Sequence, residues 1–285
     1  MSTGPIVVPL DGSKNAEMAI PFALRLAEIY GLEMRFVHVL HGEQLKGPDA
    51  REKAATTFRD YVDGLLAGRG HASVRHTSEV LAGAPAAEIL KYAESAAFIT
   101  IATHGRGGVK ATFVGSVADK VVRGARVPLV LVPLAQEPKP VGEGPILVAL
   151  DGSPEGEKGL PLARELAAKR NAKVILVRAY SLPPAMGVEF APYPADLLTT
   201  LQSDAEEYLR QTVKEGESAV CVQSTPAEGI AQAAEEFDVG LVVVAAHGRG
   251  WAARLALGST TDRLMHLVKR PMLIVHMKRE DGGEK

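Results

Sequence analysis

A doubly wound α/β fold, built twice in tandem, is the architecture that this 285-residue sequence predicts. Three observations carry the expectation. Short apolar runs alternate with amphipathic stretches of helical period, which marks βαβ units, a parallel sheet and right-handed crossovers. The same markers then return in the same order in the second half of the chain. In each half an apolar run also empties into a glycine-rich loop, "ATHGRGGVKATFVGS" from Ala102 and "AAHGRGWAARLALGS" from Ala245.

The first half opens on the apolar run 6–10, followed by residues 16–29 with apolar positions at helical spacing. A strand over 34–40, a helix over 49–66 and a strand over 74–81 come next. A helix over 86–94, a strand over 98–102, a helix from Ser116 and a strand over 129–132 complete the unit. Pro21 and Pro161 hold equivalent places inside the first helix of each half, where a proline kinks a helix or starts it late. The second half repeats the pattern and closes on a strand over 272–275.

The duplication is explicit. "PIVVPLDGS" from Pro5 returns as "PILVALDGS" from Pro145, an offset of 140. "HGRG" at His104 returns at His247, "GS" at Gly115 returns at Gly258, and "RVPLVLVPL" from Arg126 returns as "KRPMLIVHM" from Lys269, all offset by 143. Between the halves lies "AQEPKPVGEG", whose proline, glycine and charge suit a solvated linker. The expected domains are therefore 1–134 and 145–280, joined by 135–144.

Composition narrows the function. At 46% hydrophobic and 23% charged residues the chain is ordinary globular protein, and its net charge of -2 argues against a nucleic-acid or anionic-membrane partner. A single cysteine, Cys221, fits a reducing compartment, and no apolar run reaches the length of a membrane span. The N-terminus lacks the basic-then-apolar pattern of a signal peptide, so the expected location is the cytoplasm.

In an open parallel sheet, ligands bind at the carboxyl ends of strands, where strand order reverses. Asp11 follows the first strand and the loop from Ala102 follows the fourth, so neighbouring strands would turn both toward one crevice; Asp151 and the loop from Ala245 repeat the arrangement. Each loop ends on Gly-Ser before a helix, whose first N–H groups are unpaired and carry partial positive charge. Glycines let the backbone approach a ligand, Ser116 can cap the helix or face an anion, and an opposing aspartate suits Mg2+ lying between it and phosphates. The arrangement reads as a nucleoside polyphosphate cradle. Taken singly, Asp-Gly-Ser and Gly-Ser are ordinary helix caps.

Competing motifs fit less well. Gly248, Gly250 and Ala253 match G-x-G-x-x-A, but Lys110 breaks the pattern in the first half, and the loop follows the fourth strand rather than the first. Neither a P-loop nor an H-E-x-x-H helix occurs. Asp11, His104 and Ser116, repeated as Asp151, His247 and Ser259, could form a hydrolase triad, yet Ser116 is not in a G-x-S-x-G elbow. Cys221 reads as a core thiol, His38 and His41 as solvated or satisfied side chains, and Trp251 as packing or a ligand cover.

The spacing Gly105-(nine)-Gly115-Ser116, repeated as Gly248-(nine)-Gly258-Ser259 and joined to the "VPLDGS" start, resembles the universal stress protein family in its tandem form. The family's further glycine, three positions before the first of these, is alanine in both halves, Ala102 and Ala245. The resemblance implies two tandem doubly wound, five-stranded parallel sheets of Rossmann-like, adenine nucleotide alpha hydrolase-like type. Their last strands, "PLVLV" and "PMLIV", would pair antiparallel to make a pseudo-dimer. It also implies ATP with Mg2+ as cofactors. Asp11 and Asp151 would contact the ribose-phosphate or the metal, and Val39 and Ala179 the adenine. Gly105, Gly115, Ser116 and Val117 would hold phosphates, with Gly248, Gly258, Ser259 and Thr260 as counterparts. The strand-end neighbours Pro9, Leu10, Ile101, Ala102 and His104, repeated as Ala149, Leu150, Val244, Ala245 and His247, complete the two sites by the same resemblance.

The expected function is an ATP-binding stress-response protein that signals through nucleotide occupancy, with at most slow hydrolysis because no general base or arginine finger is evident. Family members that bind cyclic AMP, or no nucleotide, keep the nucleotide's identity open. Two alternatives are a nucleotide-free module that recruits a protein partner and a Ser-His-Asp hydrolase. A homodimer of tandem chains is the expected assembly. The halves differ: "AGAPAAEIL" from Ala82 becomes "QSTPAEGI" from Gln223, and a proline-rich segment, "SLPPAMGVEFAPYP", follows only the second half's second strand.

Overall fold

The computed structural model describes residues 4–40, 49–105, 114–134, 143–182, 193–246 and 257–276. The chain divides into two compact units, Met1–Gly142 with Pro271–Lys285, and Glu143–Arg270.

In the first unit the strands are β1 (Ile6–Pro9), β2 (Met34–Leu40), β3 (His76–Ala82), β4 (Phe98–Ala102) and β5 (Leu129–Val132), joined by β10 (Met272–Val275). They lie in the order β3-β2-β1-β4-β5-β10. All are parallel except β10, which runs antiparallel to β5 with Leu273 opposite Val130. That pairing of the two last strands is the one expected, and it covers a wholly buried β5 that would otherwise leave an apolar edge open. His276, just past β10, donates from Nε2 to the Val122 carbonyl at 2.8 Å and so holds the end of the strand down.

The second unit carries β6 (Ile146–Ala149), β7 (Val174–Tyr180), β8 (Ser218–Gln223) and β9 (Leu241–Ala245) in the order β9-β6-β7-β8, with parallel pairing throughout. Both units thus reverse strand order beside their first strand, between β1 and β4 and between β6 and β9, where a doubly wound sheet opens its crevice. Ile6, Val7, Ile99, Leu129 and Leu131 form the first sheet's core; Ile146, Leu147, Leu176 and Val242 form the second's. Each such full burial stabilises by about 1.5–3 kcal/mol.

The helices of the first unit are α1 (Lys14–Glu17), α2 (Ile20–Tyr30), α3 (Ala50–Ala67), α4 (Pro85–Tyr92) and α5 (Ser116–Gly124). Those of the second are α6 (Leu160–Arg170), α7 (Leu197–Thr212), α8 (Pro226–Glu236) and α9 (Ser259–Leu267). The single helix expected over 16–29 is two. Pro21 sits in the first turn of α2, where its missing N–H costs nothing, so the helix restarts at Ile20 after a short α1. In the second unit a 3-10 turn, Gly156–Gly159, takes the place of α1, and Pro161 starts α6 in the same way.

Candidate functional site

Both first strands deliver an aspartate into the same local turn. Asp11 Oδ1 accepts from the Ser13 backbone N–H at 2.9 Å and from Ser13 Oγ at 2.6 Å; Asp151 Oδ1 accepts from Ser153 N–H and Oγ at the same two distances. Each serine hydroxyl then accepts a backbone N–H from the next turn, Ala16 at 3.2 Å or Gly156 at 3.0 Å. Asp-Gly-Ser is therefore both a cap and a clamp on one carboxylate oxygen.

In the first unit the second oxygen lies against the loop after β4. A β-carbon built on Gly105 would collide with Asp11 Oδ2, so any larger residue here must displace this carboxylate or this loop. Asn15, on α1, donates from Nδ2 to the Gly105 carbonyl at 3.2 Å, tying together segments 90 residues apart. In the second unit the glycine pressed against the aspartate is Gly156, in the 3-10 turn, whose β-carbon would strike Asp151 Oδ1.

The two glycine loops close identically. Gly115 N–H donates to the Thr103 carbonyl at 2.7 Å, and Gly258 N–H donates to the Ala246 carbonyl at 2.9 Å. Gly115 and Gly258 are N-caps that carry no side chain, so the caps themselves satisfy none of the first N–H groups of α5 and α9. Ser116 and Ser259 stand exposed at the first helical positions, with Val117 and Thr260 half-buried behind them. Pro9, Leu10, Ile101, Ala102 and His104 are buried around the first crevice; Leu150 and Val244 are buried and Ala149 and Ala245 half-buried in the second. His247 and Gly248 lie outside the described residues, as do Trp251 and most of the proline-rich segment.

Several residues at the site have no sequence motif. Asn15 and Thr103 are two; His104 Nδ1 lies 2.9 Å from Thr103 Oγ1, the place an orienting carboxylate would take in a hydrolase triad. In the second unit Thr261 Oγ1 donates to the Ala245 carbonyl at 3.0 Å from a position that is Ala118 in the first. At the far end of the crevice His38 Nδ1 donates to the Leu10 carbonyl at 2.7 Å, beside half-buried Val39. The side-chain bonds join residues up to 90 positions apart, beyond the reach of any local pattern.

At the end of α1 sits a buried acid. Glu17, 4% exposed, accepts from Lys14 Nζ at 3.0 Å, Tyr61 Oη at 3.0 Å and Arg69 Nη2 at 3.1 Å. Burial alone would raise its pKa, but these donors outweigh burial and hold the carboxyl below the usual range. The same burial, with Glu17 as acceptor, pushes the Tyr61 hydroxyl up. In the second unit Tyr208 donates to Glu157 at 2.9 Å, and burial plus that bond push its hydroxyl up to about 12.

Two units, each with an aspartate after its first strand and a loop end that bonds back past the neighbouring strand, define a tandem α/β protein. The universal stress protein family model matches residues 3–133 and again 144–276, so the chain belongs to that family, in its tandem form. A universal stress protein of Mycobacterium tuberculosis is 26% identical over 293 residues, covering 94% of this chain and 96% of the relative. The crystal structure of a universal stress protein from Archaeoglobus fulgidus superposes with a TM-score of 0.70 at 18% identity, covering 97% of this chain and 99% of that one. One from Pseudomonas aeruginosa gives 0.69 at 14% identity, covering 97% and 94%. Shorter neighbours include universal stress proteins solved with cAMP and with dAMP, spanning 47% and 46% of this chain at TM-scores of 0.34 and 0.36, each 24% identical. Among the described residues no helix is long and apolar enough to cross a membrane.

Proposed function

We propose that the chain binds ATP with Mg2+ in the first unit, through Asp11, the Gly105 loop and the N-terminus of α5, and that occupancy of this site is its signal. The observation that carries the reading is the repeated loop closure, Gly115 N–H to Thr103 and Gly258 N–H to Ala246, which supports the N-termini of α5 and α9 as phosphate docks at the strand ends. The donor set suits a polyphosphate-bound metal rather than a protein-held one. No cluster of three or more His, Cys, Asp or Glu occurs among the described residues, and Mg2+ commonly takes one carboxylate, waters and phosphate oxygens. Asp11 would hold the ion, the N–H groups of Ser116 and Val117 the phosphates, and the Val39 backbone the adenine; Mg2+ would neutralise phosphate charge beside the acid. Asp151, Ser259, Thr260 and Ala179 would do the same in a second, weaker site.

Hydrolysis would be slow in this reading, and binding state rather than turnover the output. A cytoplasmic homodimer of tandem chains is the working form, with a protein partner reading occupancy; the lone Cys221 supports a reducing compartment. The test is to denature purified protein, identify released nucleotide by chromatography, and titrate the emptied protein with Mg-ATP. An adenine nucleotide released, or binding heat at one or two sites per chain, is expected. No nucleotide and no heat would sink the proposal in favour of a nucleotide-free module. Fluorophosphonate labelling of Ser116 or Ser259 would instead revive the hydrolase.

A further inference from the structure

The turn that carries each aspartate is bonded onward, past its serine. The Ser13 carbonyl accepts the Glu17 N–H at 3.3 Å, and the Ser153 carbonyl accepts the Glu157 N–H at 3.2 Å. Each glutamate side chain then accepts a tyrosine hydroxyl from the long helix after the unit's second strand, Tyr61 of α3 at 3.0 Å and Tyr208 of α7 at 2.9 Å. Aspartate, serine, glutamate and tyrosine thus follow one another in both units. The glutamates are offset by 140 residues and the tyrosines by 147, so the chain between them changed length and the bond persisted. It persisted although Pro154 replaces Lys14 and Glu155 replaces Asn15 beside the glutamate. Burial, the Glu17 bond and then the charges of Glu17 and Asp11 all raise the pKa of the Tyr61 hydroxyl, so the proton it donates stays in place. In the first unit Arg69 makes a second tie, donating to Glu17 at 3.1 Å and to the Leu65 carbonyl at 3.1 Å, so the middle and the end of α3 hang on different donors.

We infer that Tyr61 and Tyr208 are positioning residues that carry the state of the aspartate turn to the helix outside it, so that α3 reports whether the first site is filled. The inference rests on the nucleotide reading above. A ligand shifts a distant element only as far as it favours one arrangement of what lies between. Here Asp11 Oδ1 is already fixed by Ser13, so an ion on this carboxylate steadies the serine, the serine carbonyl steadies Glu17, and Glu17 steadies α3 through Tyr61. Only Phe58, Val62 and Leu66 of α3 are fully buried, and most of its other residues are exposed, which makes it a surface where a partner could read the bound state. Tyr208 makes the same link in the second unit, where the guanidinium of Arg178 lies 4.8 Å from its ring centroid.

The test is amide hydrogen exchange of the full chain, with and without saturating Mg-ATP, in wild type, Tyr61→Phe and Tyr208→Phe, alongside ATP affinity and thermal midpoints. Phe keeps the ring and removes only the donor. In wild type, Mg-ATP is expected to slow exchange across α3 by about threefold or more. In Tyr61→Phe the affinity should stay within about threefold, while the slowing is lost around Tyr61 and kept in the last turn, which Arg69 holds. Tyr208→Phe should leave the response of α3 as it is in wild type. The inference is overturned by a wild-type α3 that does not respond although ATP binds, by equal slowing in wild type and Tyr61→Phe, by loss of the α3 response in Tyr208→Phe, or by a fall in affinity beyond about threefold in Tyr61→Phe. If the midpoint of Tyr61→Phe collapses, a wild-type measurement decides. With carbon-13 at Cζ of the six tyrosines, whose shifts follow the hydrogen bonds of their hydroxyls, a signal must move when Mg-ATP is added, and six unmoved signals overturn the inference. A wild-type protein that binds no ATP overturns the nucleotide reading itself, and this inference with it.

Discussion

The two units keep the same carboxylate turn to within 0.1 Å in its two bonds to serine, and diverge in almost everything packed around it. In the first, Asn15 bonds the Gly105 carbonyl, and Glu17 gathers three donors in the core. In the second, the position of Asn15 is Glu155, Glu157 is only half-buried, and a well-bonded acid sits elsewhere. There Arg164 grips Glu217 at 2.7 and 2.8 Å and also donates to the Thr212 carbonyl at 2.9 Å. The loop closure is made by backbone groups, which any side chain that permits the φ and ψ preserves, and the carboxylate turn survives because both halves keep its aspartate and serine. Contacts between long side chains depend on two identities at once and are lost when either changes.

The sharpest way to break the parallel is Gly105→Val. Its β-carbon lands on the Asp11 carboxylate, so Mg-ATP affinity at the first site should fall about 1,000-fold, about 4 kcal/mol, while the second site titrates as before. Equal loss at both sites, or at neither, would refute the placement.

Removing the acids comes next. Glu17→Ala leaves Arg69 and Tyr61 without their buried partner and should cost about 3 kcal/mol in chemical denaturation, against about 1 kcal/mol for Glu157→Ala. Arg164→Ala, which strands Glu217, should cost about 2 kcal/mol.

Titration sharpens the same contrast. The folded pKa of Glu17 is depressed below its ordinary value of 4.5, burial being outweighed by Lys14, Tyr61 and Arg69. Its contribution is thus fully present above about pH 4.5 and is lost as pH falls through the lower folded value. The stability gap between wild type and Glu17→Gln should therefore narrow on acidification through that window; a constant gap would refute the assignment. Glu217 behaves alike, with Arg164 as the first cause of its depression. The smallest effect expected is Asn15→Ala, about 0.5–1 kcal/mol from one half-buried hydrogen bond; the equivalent position in the second unit is Glu155, whose side chain has no N–H to give.

Much of the fold was legible because buried parallel strands are apolar almost throughout. The expected bounds 98–102, 129–132 and 272–275 coincide with β4, β5 and β10. The strand expected over 74–81 begins and ends later, at His76 and Ala82. It lies on the outer side of β2, where alternate residues are exposed and the apolar run no longer marks its ends. Residues 16–29 carried one helical period across two helices, since periodicity does not register a break of a residue or two before a proline. At the candidate site, Asp11, Gly105, Gly115 and Ser116 were visible as strand-end and glycine-loop chemistry. His38 was read only as solvated or satisfied, because its partner is a carbonyl 28 residues away.

Periodicity and repetition, both local properties of the chain, were enough to establish two α/β units, their strand order in time and the spacing of the glycine loops. The tertiary structure alone decided which carbonyl His38 holds, which glycine presses on which aspartate, and that β10 packs in the first unit although it ends the second repeat. Apart from Gly156 on Asp151, those outcomes rest on distances between segments tens to more than a hundred residues apart. Burial of β5's edge and the directionality of hydrogen bonds set them only once the sheet exists.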